Sequence, residues 1–267
     1  MGQGLDIKRV QSLLTTRWMG REIYYEEIVD STNLRVKELA KQRAPQGSLC
    51  TAEVQNAGRG RRGRSWHTEK GEALAMSFLL YPPCHPAKAS MLSLMAGLSV
   101  AQGCADLGIE AQVKWPNDVV ASGKKICGIL TEMQADGTGI AYVVTGIGIN
   151  VNQASMPKDI QATATSLRLE SGKVWERELV MAKVLDRMEQ NYEKFLAADS
   201  LAGLKAEYES FLVNRGRQVR IEAGPESFLG TALGITDTGE LLVQDEQGKL
   251  REVCAGEVSV RGLYGYV

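Results

Sequence analysis

Residues 124–150 read KKICGILTEMQADGTGIAYVVTGIGIN, and this stretch decides the fold class. β-Branched and apolar residues crowd two segments, Lys125–Gln134 and Ile140–Ile149, and the Asp136-Gly137 pair between them is a turn signal. The reading is strand, turn, strand. Upstream, Ala111–Trp115 is a further strand, set off by turn signals at Pro116-Asn117-Asp118 and Ser122-Gly123. Pro86–Leu107 repeats apolar residues at helical spacing through Met91, Leu94, Met95, Leu98 and Ala101, which predicts a long buried helix. Ala73–Leu80 is a strand stopped by Pro82-Pro83, and Gly47–Val54 is another. Asp30-Ser31-Thr32-Asn33 precedes Leu34, Val36, Leu39 and Ala40, a helix ending near Pro45 with Asp30 or Ser31 as its cap. Residues 5–20 read as a short helix.

Downstream, Asn152–Thr165 is polar and weakly periodic, a loop expected to be mobile. Helices are predicted at Arg177–Ala197 and Leu201–Val213. After Asn214-Arg215-Gly216 the character changes. Short β-rich runs (Gln218–Glu222, Ser227–Ile235, Leu241–Gln244, Leu250–Val253, Val258–Arg261) alternate with glycine-containing turns, the pattern of a small antiparallel barrel. The chain is therefore α+β, divided into a short N-terminal segment (1–29), a mixed-sheet domain (30–214) and a small β domain (215–267).

At 267 residues and 44% hydrophobic, the chain is long enough to bury a substantial core. Its formal net charge of -1 makes a general nucleic-acid binder a poor fit, since that class carries a wide basic face. Five cysteines without a CxxC pair read as thiols of a reducing compartment, and only two histidines leave little for a zinc site or a histidine relay. No apolar run approaches the roughly 18 residues of a membrane span, and no signal-peptide core is visible. A cytoplasmic protein is expected, with no membrane partner.

Against that neutral balance, four arginines fall within six positions of Gly58-Arg59-Gly60-Arg61-Arg62-Gly63-Arg64-Ser65-Trp66. Glycine allows close backbone approach, and arginine offers a planar fork of donors for carboxylate or phosphate. The stretch nearly spells a P-loop, but Arg64 replaces the lysine and no helix start follows. A nucleic-acid arm and a solvated basic turn remain alternatives at this point. Lys114-Trp115-Pro116-Asn117-Asp118 places a cation at a strand end beside a rigid turn. Gly146-Ile147-Gly148-Ile149-Asn150 lacks the third glycine and helix of a dinucleotide fingerprint; it reads as a strand that admits close approach. Gln55 and Ser31-Thr32-Asn33 supply neutral donors and acceptors.

Taken in order, these elements resemble biotin protein ligases. The resemblance rests on Asp30-Ser31-Thr32-Asn33, Gln55-x-x-Gly58-Arg59-Gly60-Arg61-x-Gly63-Arg64-x-Trp66, Lys114-Trp115-Pro116-Asn117-Asp118, Gly123-Lys124-Lys125-Ile126-x-Gly128-Ile129-Leu130-x-Glu132 and Gly146-Ile147-Gly148-Ile149-Asn150. It runs from about residue 20 onward. The last stretch, with Ala255-Gly256-Glu257-Val258, is similar to the family's SH3-like domain. The resemblance implies a mixed-sheet catalytic domain of the biotin/lipoate ligase type that makes biotinyl-5′-AMP from biotin and ATP. It then transfers biotin to a lysine of a biotin carboxyl carrier protein.

What it implies for residues follows by position. Ser31, Thr32, Asn33 and Gln55 would meet the biotin head, and Gly128 would also belong to the biotin site. Arg59, Gly60 and Arg61 would close over its carboxylate and the α-phosphate, and Lys114 would bridge the two, making Arg59, Arg61 and Lys114 the catalytic set. Asn117 and Asn150 would join them at ATP, with Asn150 at adenine and Asn152–Thr165 ordering over the nucleotide. Asp118 would orient Lys114 or receive a proton. Magnesium would travel with ATP on phosphates and water. About thirty residues precede the Asp30 motif, too few for the three-helix DNA reader that some members carry, so no nucleic-acid partner is expected. An exposed sheet face near 111–149 leaves a homodimer open. A lipoate or octanoate ligase of the same architecture, and a non-catalytic RNA-binding module, are the competing readings.

Overall fold

A computed structural model describes residues 4–137, 139–223, 226–255, 258–262 and 266–267. In chain order, α1 (Ile7–Leu13) leads to β1 (Ile23–Val29), α2 (Thr32–Lys41), β2 (Leu49–Gln55), β3 (Ala73–Leu80), α3 (Met91–Ala105) and β4 (Gln112–Lys114). There follow β5 (Asp118–Ala121), β6 (Lys124–Asp136), β7 (Gly139–Asn150), α4 (Leu167–Ser171), α5 (Arg177–Ala198) and α6 (Lys205–Phe211). The last elements are β8 (Gln218–Ala223), β9 (Glu226–Ile235), β10 (Leu241–Asp245), β11 (Leu250–Val253) and β12 (Val258–Gly262).

The first seven strands form one mixed sheet in the order β1-β2-β3-β7-β6-β5-β4. β1 and β2 run parallel because α2 carries the chain back between them; the other pairs are antiparallel. β3 is an inner strand between β2 and β7, and all eight of its residues are buried. That explains its apolar run, interrupted by Ser77 alone, since both of its faces are covered. On one face lie α3 and α5; α3 is buried on nearly every side, as its uniformly apolar sequence requires. On the other face, Val36, Leu39 and Ala40 of α2 pack on Cys50, Leu79 and Val144. The rest of that second face is where the functional cleft forms.

The expected helix over 5–20 is shorter than its sequence suggests. It ends at Leu13: Leu14 N–H still bonds the Val10 carbonyl, but beyond it backbone N–H groups donate to carboxylates of α5 instead of to helical carbonyls. Thr15 N–H reaches Asp186 at 2.8 Å, and Arg17, Trp18 and Met19 N–H reach Glu189 at 2.7, 2.9 and 2.9 Å. Ahead of α1, Leu5 N–H donates to Glu53 (2.7 Å), which forms a buried ion pair with Arg177 at 2.9 Å. The predicted serine cap also differs. Ser31 stands at the N-cap of α2 but its side chain makes no capping bond; the Gln55 amide oxygen takes the Thr32 N–H at 2.9 Å.

The remaining strands form an antiparallel sheet in the order β11-β10-β9-β8-β12, at the five predicted positions. Gly256 and Glu257 of the Ala255–Val258 motif lie outside the described residues. This SH3-like unit docks on the main body through Trp115, whose Nε1–H donates to the Gly239 carbonyl at 3.0 Å. Asn152–Thr165 holds no regular element, yet its end is tied to β6 by Lys125 N–H to Thr163 O (2.8 Å) and Thr165 N–H to Lys125 O (2.9 Å). Among the described residues no helix is long and apolar enough to cross a membrane.

Candidate functional site

The cleft has a floor made of glycine. Gly128 of β6 and Gly148 of β7 are register partners, and the indole of Trp66 lies across them. A Cβ at Gly148 would stand 2.3 Å from Trp66 Cε2, and one at Gly146 would stand 2.1 Å from Asn33 Oδ1. Any side chain at either position would displace a residue of the site. The Gly-Ile-Gly pattern thus serves close approach, with Ile147 pointing into the core on the opposite face.

At one end the cleft is neutral and polar. Ser77 Oγ lies 2.7 Å from Thr32 Oγ1 and 2.6 Å from Asn33 Oδ1, while Asn33 Nδ2 donates to Glu132 (2.8 Å) and to the Leu130 carbonyl (3.3 Å). Glu132 also pairs with Lys37 at 2.7 Å. Burial pushes its carboxyl up, but the Lys37 and Asn33 contacts outweigh that and hold it below its ordinary range. Ser31, Thr32 and Asn33 are all buried. Sequence reading expected these three and Gln55 together, and all four line this cleft; it gave no role to Ser77, which bonds Thr32 and Asn33, or to Glu132, which bonds Asn33. A serine within an otherwise apolar buried strand was the available signal.

The arginine stretch closes on itself. Gly60 N–H donates to Arg64 O (2.7 Å) and Trp66 N–H to Gly58 O (2.9 Å), with a short 3₁₀ turn at Arg61–Gly63. A Cβ at Gly58 would sit 2.1 Å from the Trp66 carbonyl oxygen, so this crossing requires glycine. Arg61 is drawn inward: Nη1 donates to Asn117 Oδ1 (2.8 Å) and Nη2 to the Ala255 carbonyl (3.1 Å), joining the two sheets. Burial lowers its pKa. Asn117 is itself pinned, donating to Ile129 O at 3.0 Å. Arg59 is less constrained, 3.5 Å from Glu132.

Lys114 ends β4 and is 5% exposed. Burial lowers its pKa from 10.5 to about 8; nearby Asp118 opposes the shift, while Arg261, Lys125 and Arg64 add to it. Its Nζ faces the Tyr266 ring, 3.3 Å from the centroid. Asp118 lies 2.6 Å from Lys125 Nζ, and the Tyr266 hydroxyl donates to its other oxygen.

Seven cations (Arg59, Arg61, Arg62, Arg64, Lys114, Lys125, Arg261) line the cleft among the described residues, against the single carboxylate of Asp118. That balance suits a polyanionic ligand. Trp66 Nε1 is buried and has no acceptor among the described residues. Of the residues expected at the site, Ser31, Thr32, Asn33, Gln55, Arg59, Gly60, Arg61, Lys114, Asn117 and Gly128 all line this cleft. Asn150 does not. Its amide donates to Thr165 O at 3.0 Å and accepts from Gln153 at 3.3 Å, beneath the segment that follows β7. Arg261 and Tyr266, which come from the small sheet and the segment after it, had no role in the sequence reading.

The sequence profile of the Biotin/lipoate A/B protein ligase family matches residues 25–150, and that of the Biotin protein ligase C terminal domain matches residues 216–261. The bifunctional ligase/repressor BirA of Bacillus spizizenii is 37% identical over 250 residues, covering 92% of this chain and 76% of that protein. A biotin–[acetyl-CoA-carboxylase] ligase of Mycobacterium tuberculosis is 34% identical over 218 residues, 79% of this chain and 78% of that one. Among solved structures, the biotin protein ligase of Aquifex aeolicus in complex with biotin and ATP superposes with a TM-score of 0.78 at 34% identity. It covers 91% of this chain and 99% of its own.

Proposed function

The chain belongs to the biotin protein ligase family, and we propose that its cleft is where biotin and ATP are joined before biotin passes to a carrier protein. One observation carries the residue-level reading: a neutral polar end (Thr32, Asn33, Gln55) and a cationic end (Arg59, Arg61, Lys114) share one cleft over a common glycine floor. The neutral end suits the ureido ring of biotin, which both donates and accepts. The cationic end suits the place where a carboxylate meets a triphosphate.

In the first step a carboxylate oxygen of biotin attacks the α-phosphorus. A carboxylate–phosphate bond forms, the bond to the bridging oxygen breaks, and pyrophosphate leaves with that electron pair. Biotin is already ionised at neutral pH, so no base is needed. The obstacle is like charge, about 4 kcal/mol for two unit charges about 4 Å apart at an effective dielectric near 20. Arg59, Arg61 and Lys114 offset it, together with the charge that grows on the phosphate oxygens. In the second step the lysine amine of the carrier attacks the carbonyl carbon of the anhydride and AMP leaves.

Ser31 and Gly128 complete the biotin end in this reading, and Gly60 lets the loop backbone reach the carboxylate. Asn117 and Asn150 serve the nucleotide: Asn117 by holding Arg61, Asn150 at adenine once the residues 153–165 have moved off its amide. Among the described residues no three His, Cys, Asp or Glu side chains stand together as a metal cage. That donor set fits a magnesium ion carried by the nucleotide phosphates and water, and none of these residues is assigned to it. The biotin carboxyl carrier protein as acceptor, a cytoplasmic setting that keeps the five cysteines free, and a homodimer through the sheet face near 111–149 belong to the same proposal. So does a division at residues 214/215; the one expected at 29/30 gives way, because β1 (Ile23–Val29) is itself a strand of the main sheet, paired with β2.

The biotin-specific match of the C-terminal unit favours biotin over lipoate. The inward, intramolecular bonding of Arg61 disfavours an arm displayed to RNA. The test is incubation with ATP, magnesium and either biotin or lipoate. Biotin-dependent pyrophosphate release with a biotinyl-adenylate is expected; lipoate-dependent release, or salt-sensitive RNA binding without any release, would overturn the reading.

A further inference from the structure

Lys114 and Asp118 are register partners across the β4–β5 ladder, a placement from which opposite charges ordinarily pair. Here they do not. Asp118 gives one oxygen to Lys125 and the other to the Tyr266 hydroxyl, and among the described residues Lys114 forms no ion pair. Its ammonium rests instead on the Tyr266 ring face at 3.3 Å. Tyr266 lies beyond β12, in a segment that returns over the main sheet, where a Cβ at Gly123 would stand 3.2 Å from Val267 Cγ2.

We infer that Tyr266 is a positioning residue for Lys114: its ring carries the ammonium while its hydroxyl draws Asp118 aside, so that the lysine meets substrate oxyanions without an internal carboxylate competing for it. The inference rests on the assignment of Lys114 to adenylation. The physical distinction is between two ways of holding a cation. A carboxylate partner neutralises the ammonium and must be displaced, at the cost of a charge-assisted hydrogen bond, before a new oxyanion binds. A ring face attracts the cation through its quadrupole and leaves its N–H donors and its charge for the ligand. The other groups facing Lys114 are Asp118 from β5, Lys125 from β6, Arg64 from the arginine loop and Arg261 from β12. Three of these four are cations, so Asp118 is the one that can compete.

The test compares the parent with Tyr266→Phe, Tyr266→Leu and Tyr266→Ala. Lysine labelled with ¹³C at Cε reports the Lys114 titration by NMR without substrate, with Lys114→Arg to assign the signal. Removing the ring, as in Leu or Ala, frees Asp118 to pair with Lys114. The titration midpoint should then rise by about one pH unit or more, a tenfold change in proton affinity. In pyrophosphate release with biotin, KM for ATP should rise about tenfold with kcat moving less. Phe keeps the ring and should lie between, with KM within about threefold of the parent. Leu keeps the apolar bulk, so the comparison survives if Ala unfolds the segment. A parental titration and KM in the Leu variant would overturn the inference, as would a higher kcat with a lower KM, the mark of an obstructing side chain. A parent that titrates as expected yet releases no pyrophosphate with biotin would sink the biotin reading and leave Tyr266 decided by NMR.

Discussion

The Trp66 indole sits directly on Gly148, so close that a Cβ there would lie 2.3 Å from Trp66 Cε2. The tryptophan closes the arginine stretch, and so the glycine sets the height at which that whole stretch rides above the sheet.

Gly148→Ala should therefore lift Trp66 and, with it, Arg61 and Arg64. The substitution is in a strand where alanine is conformationally acceptable, so the thermal midpoint should change by only a few degrees. The expected loss is in ligand binding, with KM for biotin and ATP rising on the order of tenfold or more. Steady-state kinetics beside a melting curve checks it; unchanged KM values would show that the indole does not carry the loop.

Lys114 sets two pH dependences in opposite directions. Its pKa in the fold is about 8, below its ordinary 10.5, with burial the main cause. Between about 8 and 10.5 the unfolded chain binds the extra proton, so this group's contribution to stability rises with pH across that window. In the role proposed for Lys114 adenylation uses the charged form, and it should fall as pH rises through about 8. Lys114→Met removes a buried cation, and should raise the thermal midpoint while lowering adenylation roughly 100-fold or more. A rate that stays flat from neutral pH to above 9 would remove Lys114 from the chemistry.

Glu53 and Arg177 form a buried pair, 1% and 6% exposed. Glu53→Ala removes the carboxylate that faces the buried guanidinium and should cost about 3–5 kcal/mol in urea unfolding. Burial pushes the Glu53 carboxyl up, but bonds from Arg177 and from the Gly71 and Leu5 N–H groups prevail and hold it below its ordinary value. Its contribution is thus present above the ordinary carboxylate range and lost as pH falls through the lowered value. An acid-unfolding midpoint that does not move in Glu53→Gln would contradict this.

Residues 58–65 should exchange amide hydrogens more slowly with biotin bound than without. Apart from its own turn bonds, the stretch is anchored mainly through Arg61. A carboxylate beneath Arg59 and Arg61 adds charge-assisted bonds that tie it down. Equal exchange with and without biotin would mean that the loop is already closed.

Much of this was legible in the sequence where a strong local signal coincided with its final use. The α3 apolar period, the β3 run, and the turn residues of the C-terminal strands each specify an element without help from distant contacts. β1 was missed because it is an edge strand with Glu26 and Glu27 inside it, held by a parallel partner that only tertiary structure supplies. β5 was missed because four residues between two turns carry no period. At the site, residue types announced the cationic cluster, and motif order gathered the polar end. Tyr266 was invisible because what matters about it is a contact across 152 positions of chain, to Lys114; Ser77 stood out in its apolar strand, but its partner Asn33, 44 positions away, did not. The segment over Asn150 is likewise a matter of packing.

Trp115 bonded to Gly239, Arg61 bonded to Ala255 and Lys114 resting on Tyr266 all cross from the mixed sheet to the C-terminal region. The modules visible in the chain and the modules that do chemistry therefore have different borders. Swapping the small sheet between relatives would exchange one wall of the cationic cleft, and a graft cut at the end of β12 would carry the scaffold across while leaving the lysine's cradle behind.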